Sequence, residues 1–351
     1  MKKSFLLILS IIAFFIVSCS TDIRDNPDVT PAIPLKELDK NPYAIALAED
    51  GKVWQWVHER GLEVKEIQQI NIDNVHAVGV LGIPYTGAYS WALKNNGKLY
   101  FWLSEFPDKM EEFKAEKQTI IKVVSNESHL IYLRADKTIR GFVPFQMPGN
   151  PYAGLDSLEQ IKDIAVGYQC SLVLTEEGKV YVAGNNHWLI QENKEWIRKP
   201  TEIKGLENIE RIGTNHSGKE PYYAVDNQDN LYYWGQSAKD EKRPVKLEAT
   251  GGDILGWQLI RSSKNEFITF IPQKRRNTAL SITYLKDYFP SDKILYLLNN
   301  SGRKKYLVVH KDGAVAYHDW KTNNKSGSPL KWEGATKIEG LKLDLSYFQQ
   351  N

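Results

Sequence analysis

Residues 161–184 read IKDIAVGYQCSLVLTEEGKVYVAG, and this stretch decides the fold. It holds an apolar run, a second alternating run that begins at Cys170, an acidic turn at Glu177-Gly178, and a third alternating run. Alternation with a period of two is typical of strands that bury one face. Glycine suits the turn because it reaches positive φ at no steric cost. The stretch therefore predicts one strand followed by a β-hairpin.

The hairpin part of this stretch recurs along the chain. Each copy joins two alternating runs across a short turn rich in Asp, Asn, Glu or Gly. The copies span residues 43–56, 89–102, 129–142, 170–184, 222–235 and 306–320. Their turn glycines, or the residues in that place, fall at 51, 97, 138, 178, 230 and 313, so the last gap is about twice the others. We therefore expect a seventh, degenerate hairpin in EFITFIPQKRRNTALSI, residues 266–282.

A second phrase precedes most hairpins and supplies further strands. It occurs as IDNVHAVGV (72–80), QTIIKVVSN (118–126), LEQIKDIAVG (158–167), LENIERIGT (206–214) and GGDILGWQLIRSS (251–263). A unit then has about four strands in ~40–45 residues, which is the size of a propeller blade.

The two chain ends complement each other. The first hairpin lacks the second phrase, whereas TKIEGLKLDLSYF (336–348) has no hairpin after it. A ring that joins both ends in one blade explains this and removes exposed sheet edges. We predict an all-β fold, a seven-bladed β-propeller closed by pairing of the N- and C-terminal segments in one blade.

These motifs resemble the repeat of the regulator of chromosome condensation (RCC1) family. The family phrase is an apolar-Ala-apolar-Gly segment, then His-Ser-Leu-Ala-Leu, then Asp-Gly-x-Val-Tyr-x-Trp-Gly, with a variable loop that ends in Pro. The best match runs over residues 164–184 and ends its unit at Pro200, and LYYWG at 231–235 matches the hairpin end. The family histidine is kept at His129, while Cys170 stands in its place in the best unit.

The resemblance covers roughly residues 43–349 and implies a seven-bladed β-propeller. The eukaryotic founding member is a nucleotide exchange factor that binds chromatin, and no exchange loop is identifiable here. Secreted bacterial relatives include a protein that binds and inhibits a β-lactamase, which implies that the disc can act as a protein-binding surface.

The first 19 residues, MKKSFLLILSIIAFFIVSC, form a short leader. Two lysines precede an apolar stretch that is too short for a membrane span and the right length for a signal-peptide core. The end of the leader resembles the bacterial lipobox, which implies cleavage after Ser18 and a lipid on Cys19. We expect a signal peptide over 1–18, a lipidated tether over 19–41 and the propeller over 42–351. By analogy with lipoprotein sorting in Gram-negative bacteria, Ser20 in place of Asp implies the outer membrane, on the periplasmic or the outer surface.

Composition and charge exclude several classes of function. The 45 Lys and Arg nearly balance the 43 Asp and Glu, so no nucleic-acid partner is expected. Once Cys19 is lipidated, Cys170 has no partner for an intramolecular disulfide. The seven histidines show no metal-ligand spacing, although His310 and His318 flank one hairpin. We predict neither metal nor cofactor.

Aromatic residues are the candidates for binding. Six of them lie in the second strand of a hairpin, where we expect packing between blades: Trp54, Trp56, Trp102, Tyr181, Tyr232 and Trp234. Others lie in loops, where a large ring must pack or bind a ligand. The loop candidates are Trp188, Trp196, Tyr85 and Tyr89, with Arg275 and Arg276 as weaker ones.

We therefore predict a membrane-anchored, non-catalytic propeller in the cell envelope that binds a protein or glycan through its loops. The alternative is a hydrolase, active on envelope glycans or another substrate, with its site at the central channel. A third interpretation is a structural subunit of an envelope complex. A binder should show an exposed aromatic patch, whereas an enzyme should bring two carboxylates, or a base and a nucleophile, around one cleft.

Overall fold

The structure of the chain is a computed structural model. It describes residues 35–37, 43–58, 64–83, 87–114, 118–144, 147–185, 196–214, 222–234, 244–250, 252–256, 259–262, 267–272, 280–284, 294–300, 305–320 and 332–343. These residues form seven antiparallel sheets, which we number 1 to 7 in chain order. Their helical elements are two short 3₁₀ turns, Pro107–Lys109 and Leu155–Ser157. The all-β prediction is confirmed.

The first four sheets contain 15 strands. Sheet 1 holds β1 (Leu35–Glu37), β2 (Tyr43–Leu47), β3 (Val53–His58) and β4 (Val64–Ile70). Sheet 2 holds β5 (Val75–Ile83), β6 (Gly87–Lys94), β7 (Leu99–Leu103) and β8 (Glu111–Glu112). Sheet 3 holds β9 (Ile120–Ser125), β10 (Leu130–Arg134) and β11 (Ile139–Phe142). Sheet 4 holds β12 (Ile161–Gly167), β13 (Cys170–Thr175), β14 (Val180–Asn185) and β15 (Trp196–Glu202).

The last three sheets have four strands each. Sheet 5 holds β16 (Ile209–Thr214), β17 (Tyr222–Asp226), β18 (Asn230–Trp234) and β19 (Val245–Thr250). Sheet 6 holds β20 (Gly252–Gly256), β21 (Leu259–Ser262), β22 (Phe267–Pro272) and β23 (Leu280–Tyr284). Sheet 7 holds β24 (Ile294–Asn300), β25 (Lys305–His310), β26 (Ala314–Trp320) and β27 (Trp332–Lys342). Each sheet meets the next through its first strand, as the blades of a propeller do.

The predicted hairpins share one turn. In sheet 1 the Gly51 amide donates to the Ala48 carbonyl, and the Ala48 amide donates to the Lys52 carbonyl. Glycine has positive φ at positions 51, 97, 178 and 313. In sheets 3 and 5 the positive φ lies one residue before the predicted positions 138 and 230, at Lys137 and Asp229. The turn is set by its hydrogen bonds, so a non-glycine residue adopts the left-handed conformation where the sequence offers no glycine.

The degenerate hairpin is shifted by one strand from its expected place. Residues 266–282 do form an antiparallel pair, β22 with β23, but these are the third and fourth strands of sheet 6. The hairpin equivalent to the others is β21 with β22. The phrase at 251–263, predicted to precede the hairpin, folds into both β20 and β21. No glycine marks the turn between β21 and β22, so the repeat pattern gave the wrong register here.

Sheet 3 has three strands in the part of the chain that the structure describes. In place of a fourth strand, Tyr152 covers the outer edge of β11 and donates from its hydroxyl to the Gly141 carbonyl at 2.9 Å. A Cβ at Gly141 would lie 2.4 Å from the ring of Tyr152, so glycine is required for this contact. The edge is therefore blocked by a side chain rather than paired with a strand.

The two ends of the ring meet at Leu343, which forms an antiparallel bridge with Ala48 of sheet 1. The Leu343 amide also donates to the Gly313 carbonyl of sheet 7 at 2.9 Å. The same bond joins other consecutive sheets, where the first residue of a sheet donates to the turn residue of the preceding one. These pairs are Ile120 to Gly97, Ile161 to Lys137 and Ile209 to Gly178.

The two chain ends do meet in the ring as expected, but the strands through which they meet differ from the prediction. The C-terminal chain pairs with β26 over most of β27, and it contacts sheet 1 through residues 342 and 343. Beside β2, the described neighbour is β1, which comes from the N-terminal side. Residues 35–37 therefore belong to the first sheet and not to the tether predicted over 19–41.

Candidate functional site

Three large tryptophans occupy the same place in three sheets. Trp56, Trp102 and Trp234 each lie in the third strand, opposite the start of the second strand, and are 1–2% exposed. This confirms the expected packing between blades for these residues. Trp54, Tyr181 and Tyr232 lie two residues before this position, on the same face of the strand, and are only partly buried. Tyr181 and Tyr232 pack against the core clusters between sheets 3 and 4 and between sheets 4 and 5.

The seam between sheets 1 and 2 is polar at this tryptophan. The Gln55 side-chain oxygen accepts from the Trp102 Nε1–H at 2.9 Å and from the Ser90 hydroxyl at 2.7 Å. The Gln55 side-chain amide donates to the Ser104 carbonyl at 2.7 Å. Gln55 is completely buried, so its bonds replace those it would make with water.

The seam between sheets 4 and 5 is apolar at the same position. Val182 stands where sheet 1 has Gln55, and it packs in one cluster with Trp234. Among the described residues, Trp234 Nε1–H has no hydrogen-bond acceptor. Cys170 Sγ lies 2.7 Å from the Tyr222 hydroxyl, and complete burial raises the pKa of the Cys170 thiol to about 12. A thiol that keeps its proton is a packing group and not a nucleophile.

The seam between sheets 3 and 4 contains the family histidine. His129 is fully buried, with Nδ1 2.8 Å from the Ser128 hydroxyl and Nε2 2.7 Å from the Ser171 hydroxyl. Burial lowers the pKa of His129 to about 3, so the ring is neutral at physiological pH. His129 therefore links two sheets and has no contact with solvent through which it could act as a base.

An aromatic patch lies where sheets 2 and 3 meet. It consists of Phe101, Phe113 and Phe142. The ring centroids of Phe101 and Phe113 are 5.4 Å apart in an edge-on arrangement, and Phe142 lies 6.3 Å from both. The buried ring of Tyr132 supports Phe113 from beneath at 6.2 Å. These distances are those of aromatic pairs that attract one another.

Phe142 is the exposed member of the patch. It occupies the position that holds a buried tryptophan in sheets 1, 2 and 5, yet it is 37% exposed whereas Trp102 is 2% exposed. Exposed Glu111 borders the patch, because it pairs directly with Phe101 across two strands. Sequence reasoning did not single out these residues, because Phe142 ends one of the repeated hairpins, and the large side chains of that strand were expected to pack between blades. The sequence between residues 142 and 158 has no alternating run that predicts a fourth strand, and this could have indicated that Phe142 is left uncovered.

Two of the predicted binding residues lie in the described part of the chain. Trp196 begins β15 and is partly buried, and a Cβ at Gly149 would lie 2.5 Å from its ring, so the ring packs on that backbone. Tyr89 is partly buried and packs on the core between sheets 2 and 3. The structure gives both rings a packing role, and Tyr89 packs on the same core cluster as Phe101 and Phe113 of the aromatic patch. Cys19, Tyr85, Trp188, Arg275 and Arg276 lie outside the described residues.

Two other sequence features have structural explanations. Residues 226–230 read DNQDN, an acidic run that could suggest a calcium loop. The Asp226 side chain accepts hydrogen bonds from the amides of Gln228 and Asn230, so this run is a hairpin turn. Burial alone would raise the pKa of Asp226, but hydrogen bonds from Asn230, Gln228 and Tyr232 outweigh it and lower that pKa. His310 and His318 lie at opposite ends of their hairpin, since His318 pairs with Tyr306 at the far end from the turn. Over the described ranges, no three His, Cys, Asp or Glu residues are placed to hold a metal ion.

Comparisons with known proteins agree with this architecture. The sequence pattern of the regulator of chromosome condensation (RCC1) repeat matches residues 161–187. No curated protein matches the chain as a sequence relative. Within the described residues, no helix is long and apolar enough to cross a membrane.

Several solved structures are similar in fold. Kluyveromyces lactis Hsv2 is 11% identical, with a TM-score of 0.55 over 88% of this chain and 98% of that one. PorZ, a surface component of the type-IX secretion system of Porphyromonas gingivalis, is 12% identical, with a TM-score of 0.50 over 86% of this chain and 37% of that one. Prp20p from Saccharomyces cerevisiae is 16% identical, with a TM-score of 0.47 over 87% of this chain and 76% of that one. At such identities the similarity concerns the fold alone: the chain is a β-propeller, and the sequence of its fourth sheet matches the RCC1 repeat.

Proposed function

We propose that this chain is a lipid-anchored, non-catalytic propeller of the cell envelope that binds a protein partner at the aromatic patch and the loops around it. The propeller fold is suited to a binding scaffold, since its strands hold the loops on a rigid ring. The anchor follows from the leader and lipobox of residues 1–19, and the partner class follows from the patch.

The observation that carries the proposal is the exposure of Phe142. In sheets 1, 2 and 5 this position buries a tryptophan, whereas leaving the aromatic ring of Phe142 open to water has a cost in free energy. Phe101 and Phe113 hold the ring of Phe142 in place, which lowers the conformational entropy lost when a partner covers it. Rigid, exposed aromatic rings are enriched at the centres of protein interfaces.

A protein fits this patch better than a glycan does. Phenylalanine has no hydrogen-bonding group, whereas sugar recognition requires polar groups that converge on hydroxyls. Three phenylalanines with an acidic border suit an apolar side chain flanked by a basic one. The burial of His129 and Cys170 supports a non-catalytic role, because both groups are neutral and closed to solvent.

Site-specific photo-crosslinking in cells tests the binding site. A photoreactive phenylalanine analogue replaces Phe142, and a matched variant carries it at Phe106, which is 43% exposed and has Lys109 over its ring. We expect a discrete crosslinked protein from position 142 and none from position 106, and Phe142→Ser should abolish co-purification of that protein. Equal crosslinking from both positions, or none from 142, contradicts the proposal.

Fractionation tests the anchor separately. Radiolabelled palmitate should enter the wild-type chain, and Cys19→Ser should prevent labelling and move the protein from the membrane to the soluble fraction. A Cys170→Ser variant is the matched control, because Cys170 is buried inside the ring and should leave the labelling unchanged. Membrane retention of the Cys19→Ser protein contradicts lipid anchoring.

A further inference from the structure

The exposed ring of the aromatic patch differs from two other rings near it in having no cation over its face. Lys109 Nζ lies 4.7 Å from the centre of the Phe106 ring, and Lys94 Nζ lies 5.4 Å from that of Tyr100. A cation in this place is attracted by the negative charge on the face of the ring. Within the described structure, no lysine or arginine lies in this way over Phe142.

Glu111 places a carboxylate without an ion-pair partner beside the patch. It pairs with Phe101 across β7 and β8, and directly opposed residues project from the same face of a sheet. It is exposed and forms no ion pair with any described residue. The next residue, Glu112, projects from the other face, where Lys98 Nζ lies 3.2 Å from its carboxylate. Of these two carboxylates, Glu111 is therefore the one that offers its charge to a ligand of the patch.

The cations nearest to the patch in the sequence leave this charge unpaired. Arg140, two residues before Phe142, lies 3.5 Å from the carboxylate of Asp156 and so has an acidic partner of its own. Exposed Lys114 forms no ion pair with Glu111. The described residues therefore leave both an aromatic ring and a carboxylate open at the same rim of the disc.

We propose that the aromatic patch takes the guanidinium of an arginine side chain on the partner, stacked on Phe142 with Glu111 as its counter-charge. This inference rests on the proposed binding role of the patch and names the group that the patch recognises. A guanidinium is flat, stacks on aromatic faces and binds both oxygens of a carboxylate, and it is less strongly hydrated than an ammonium. Arginine is also enriched among the residues that carry most of the binding energy at protein interfaces.

The arrangement of the three phenylalanines favours a stacked cation. Phe101 and Phe113 are inclined to Phe142 by 50° and 62°, and both contact it at 6.3 Å between ring centroids. They hold the ring while 37% of Phe142 stays exposed. Because the ring is already ordered, little conformational entropy of this chain is lost when a cation stacks on it.

Peptide titration tests the inference before the partner is known. The probe is acetyl-Leu-Arg-Leu-amide, and its matched control carries citrulline, which has the shape of arginine without the charge. Each is titrated into the full-length Cys19→Ser chain, and the chemical shifts of the patch report the affinity. A cation over a ring and an exposed ion pair are each worth about threefold in affinity, so we expect the arginine peptide to bind about tenfold more tightly. Added salt should reduce this difference, and a lysine peptide should bind more weakly than the arginine peptide.

Three surface variants separate the contributions. Glu111→Gln should weaken binding of the arginine peptide about threefold and leave the citrulline peptide unchanged. Glu112→Gln is the matched control, because it removes the same charge from the opposite face of β8 and should leave both affinities unchanged. Phe142→Leu keeps an apolar side chain but has no aromatic face, and it should weaken the arginine peptide about threefold.

The contrary outcomes are distinct. Equal affinities for the arginine and citrulline peptides overturn the inference, and so do an absence of binding, an unchanged affinity in Glu111→Gln, or a lysine peptide that binds as tightly as the arginine peptide. Photo-crosslinking at position 142 separates this failure from failure of the proposed function. A discrete crosslinked protein whose yield is the same in Glu111→Gln retains the binding site but removes the arginine from it.

Discussion

Two seams of the ring bury the same tryptophan in opposite ways. Between sheets 1 and 2, Trp102 donates to Gln55, which also binds Ser90 and the Ser104 carbonyl. Between sheets 4 and 5, Trp234 meets Val182 and has no acceptor among the described residues. The backbone positions are equivalent and the exposed fractions of the two rings match. These two seams therefore share the bulk of a buried tryptophan, while the residues around its Nε1–H are polar in one seam and apolar in the other.

Gln55→Leu should cause the largest loss of stability. It leaves the Trp102 Nε1–H and the Ser104 carbonyl buried without partners, while Ser90 keeps its contact with the Ser104 hydroxyl. We expect the free energy of unfolding to fall by about 3 kcal/mol in urea denaturation. Val182→Ile changes the equivalent residue of the apolar seam and should cost about 1 kcal/mol. Equal losses would mean that the polar seam is not special.

Glycine-to-alanine substitutions in the hairpin turns of sheets 1 and 4 test how closely the next sheet packs against each turn. Gly51 and Gly178 have φ of 77° and 75°, so alanine is strained equally at both. A Cβ at Gly51 meets nothing within 4 Å, whereas one at Gly178 lies 3.0 Å from the Ile209 amide of the next sheet. Gly51→Ala should cost about 1 kcal/mol and Gly178→Ala about 2 kcal/mol by urea denaturation. A larger loss at Gly51 would contradict this account of the turn contact.

The hairpins could be predicted from the sequence because each carries its own turn chemistry and alternation. Sheet 6 could not be placed, because no glycine marks the turn before β22 and the neighbouring hairpin has a similar pattern. β1 was missed because it lies in a segment rich in proline and charge, where only the edge of β2 provides a reason for pairing. Local signals indicate strands, but they do not indicate which strand completes a sheet.

Phenylalanine substitutions measure the hydrogen bond of the polar seam directly. Both Trp102→Phe and Trp234→Phe reduce the area of the buried ring. Trp102→Phe also removes an Nε1–H that donates to Gln55, whereas the Nε1–H removed by Trp234→Phe has no acceptor among the described residues. The first variant should lose about 1 kcal/mol more than the second. Thermal and urea unfolding of the two proteins should agree on this order, and the reverse order would show that Trp234 is satisfied in solution.

Alkaline pH should also weaken the apolar seam. The Cys170 thiol has its pKa raised by burial to about 12, against an ordinary value of 9.0 when unfolded. The unfolded thiol therefore loses its proton first, so this contribution to stability is complete below pH 9 and is lost as pH rises towards 12. At pH 10 the wild type should lose about 1 kcal/mol relative to Cys170→Ser, which keeps a hydroxyl near Tyr222. Parallel pH profiles for the two proteins would contradict the assignment.

The candidate site was less predictable than the fold. Trp196 was expected in a loop, but it begins β15 and its ring packs on the backbone of Gly149. Among the described residues no fourth strand lies beside β11, where Phe142 is exposed, and alternation within β11 carries no information about such a neighbour. A candidate surface that depends on an uncovered strand can be predicted only when all the strands of its sheet are known.

The bond from Leu343 to Gly313 has a consequence for biosynthesis. The contact between the last and first sheets depends on a residue that follows all 27 strands in the chain, so the nascent polypeptide cannot close the ring until that residue has been made. The closing contact between sheets 7 and 1 can therefore form only after all the other sheets have been made.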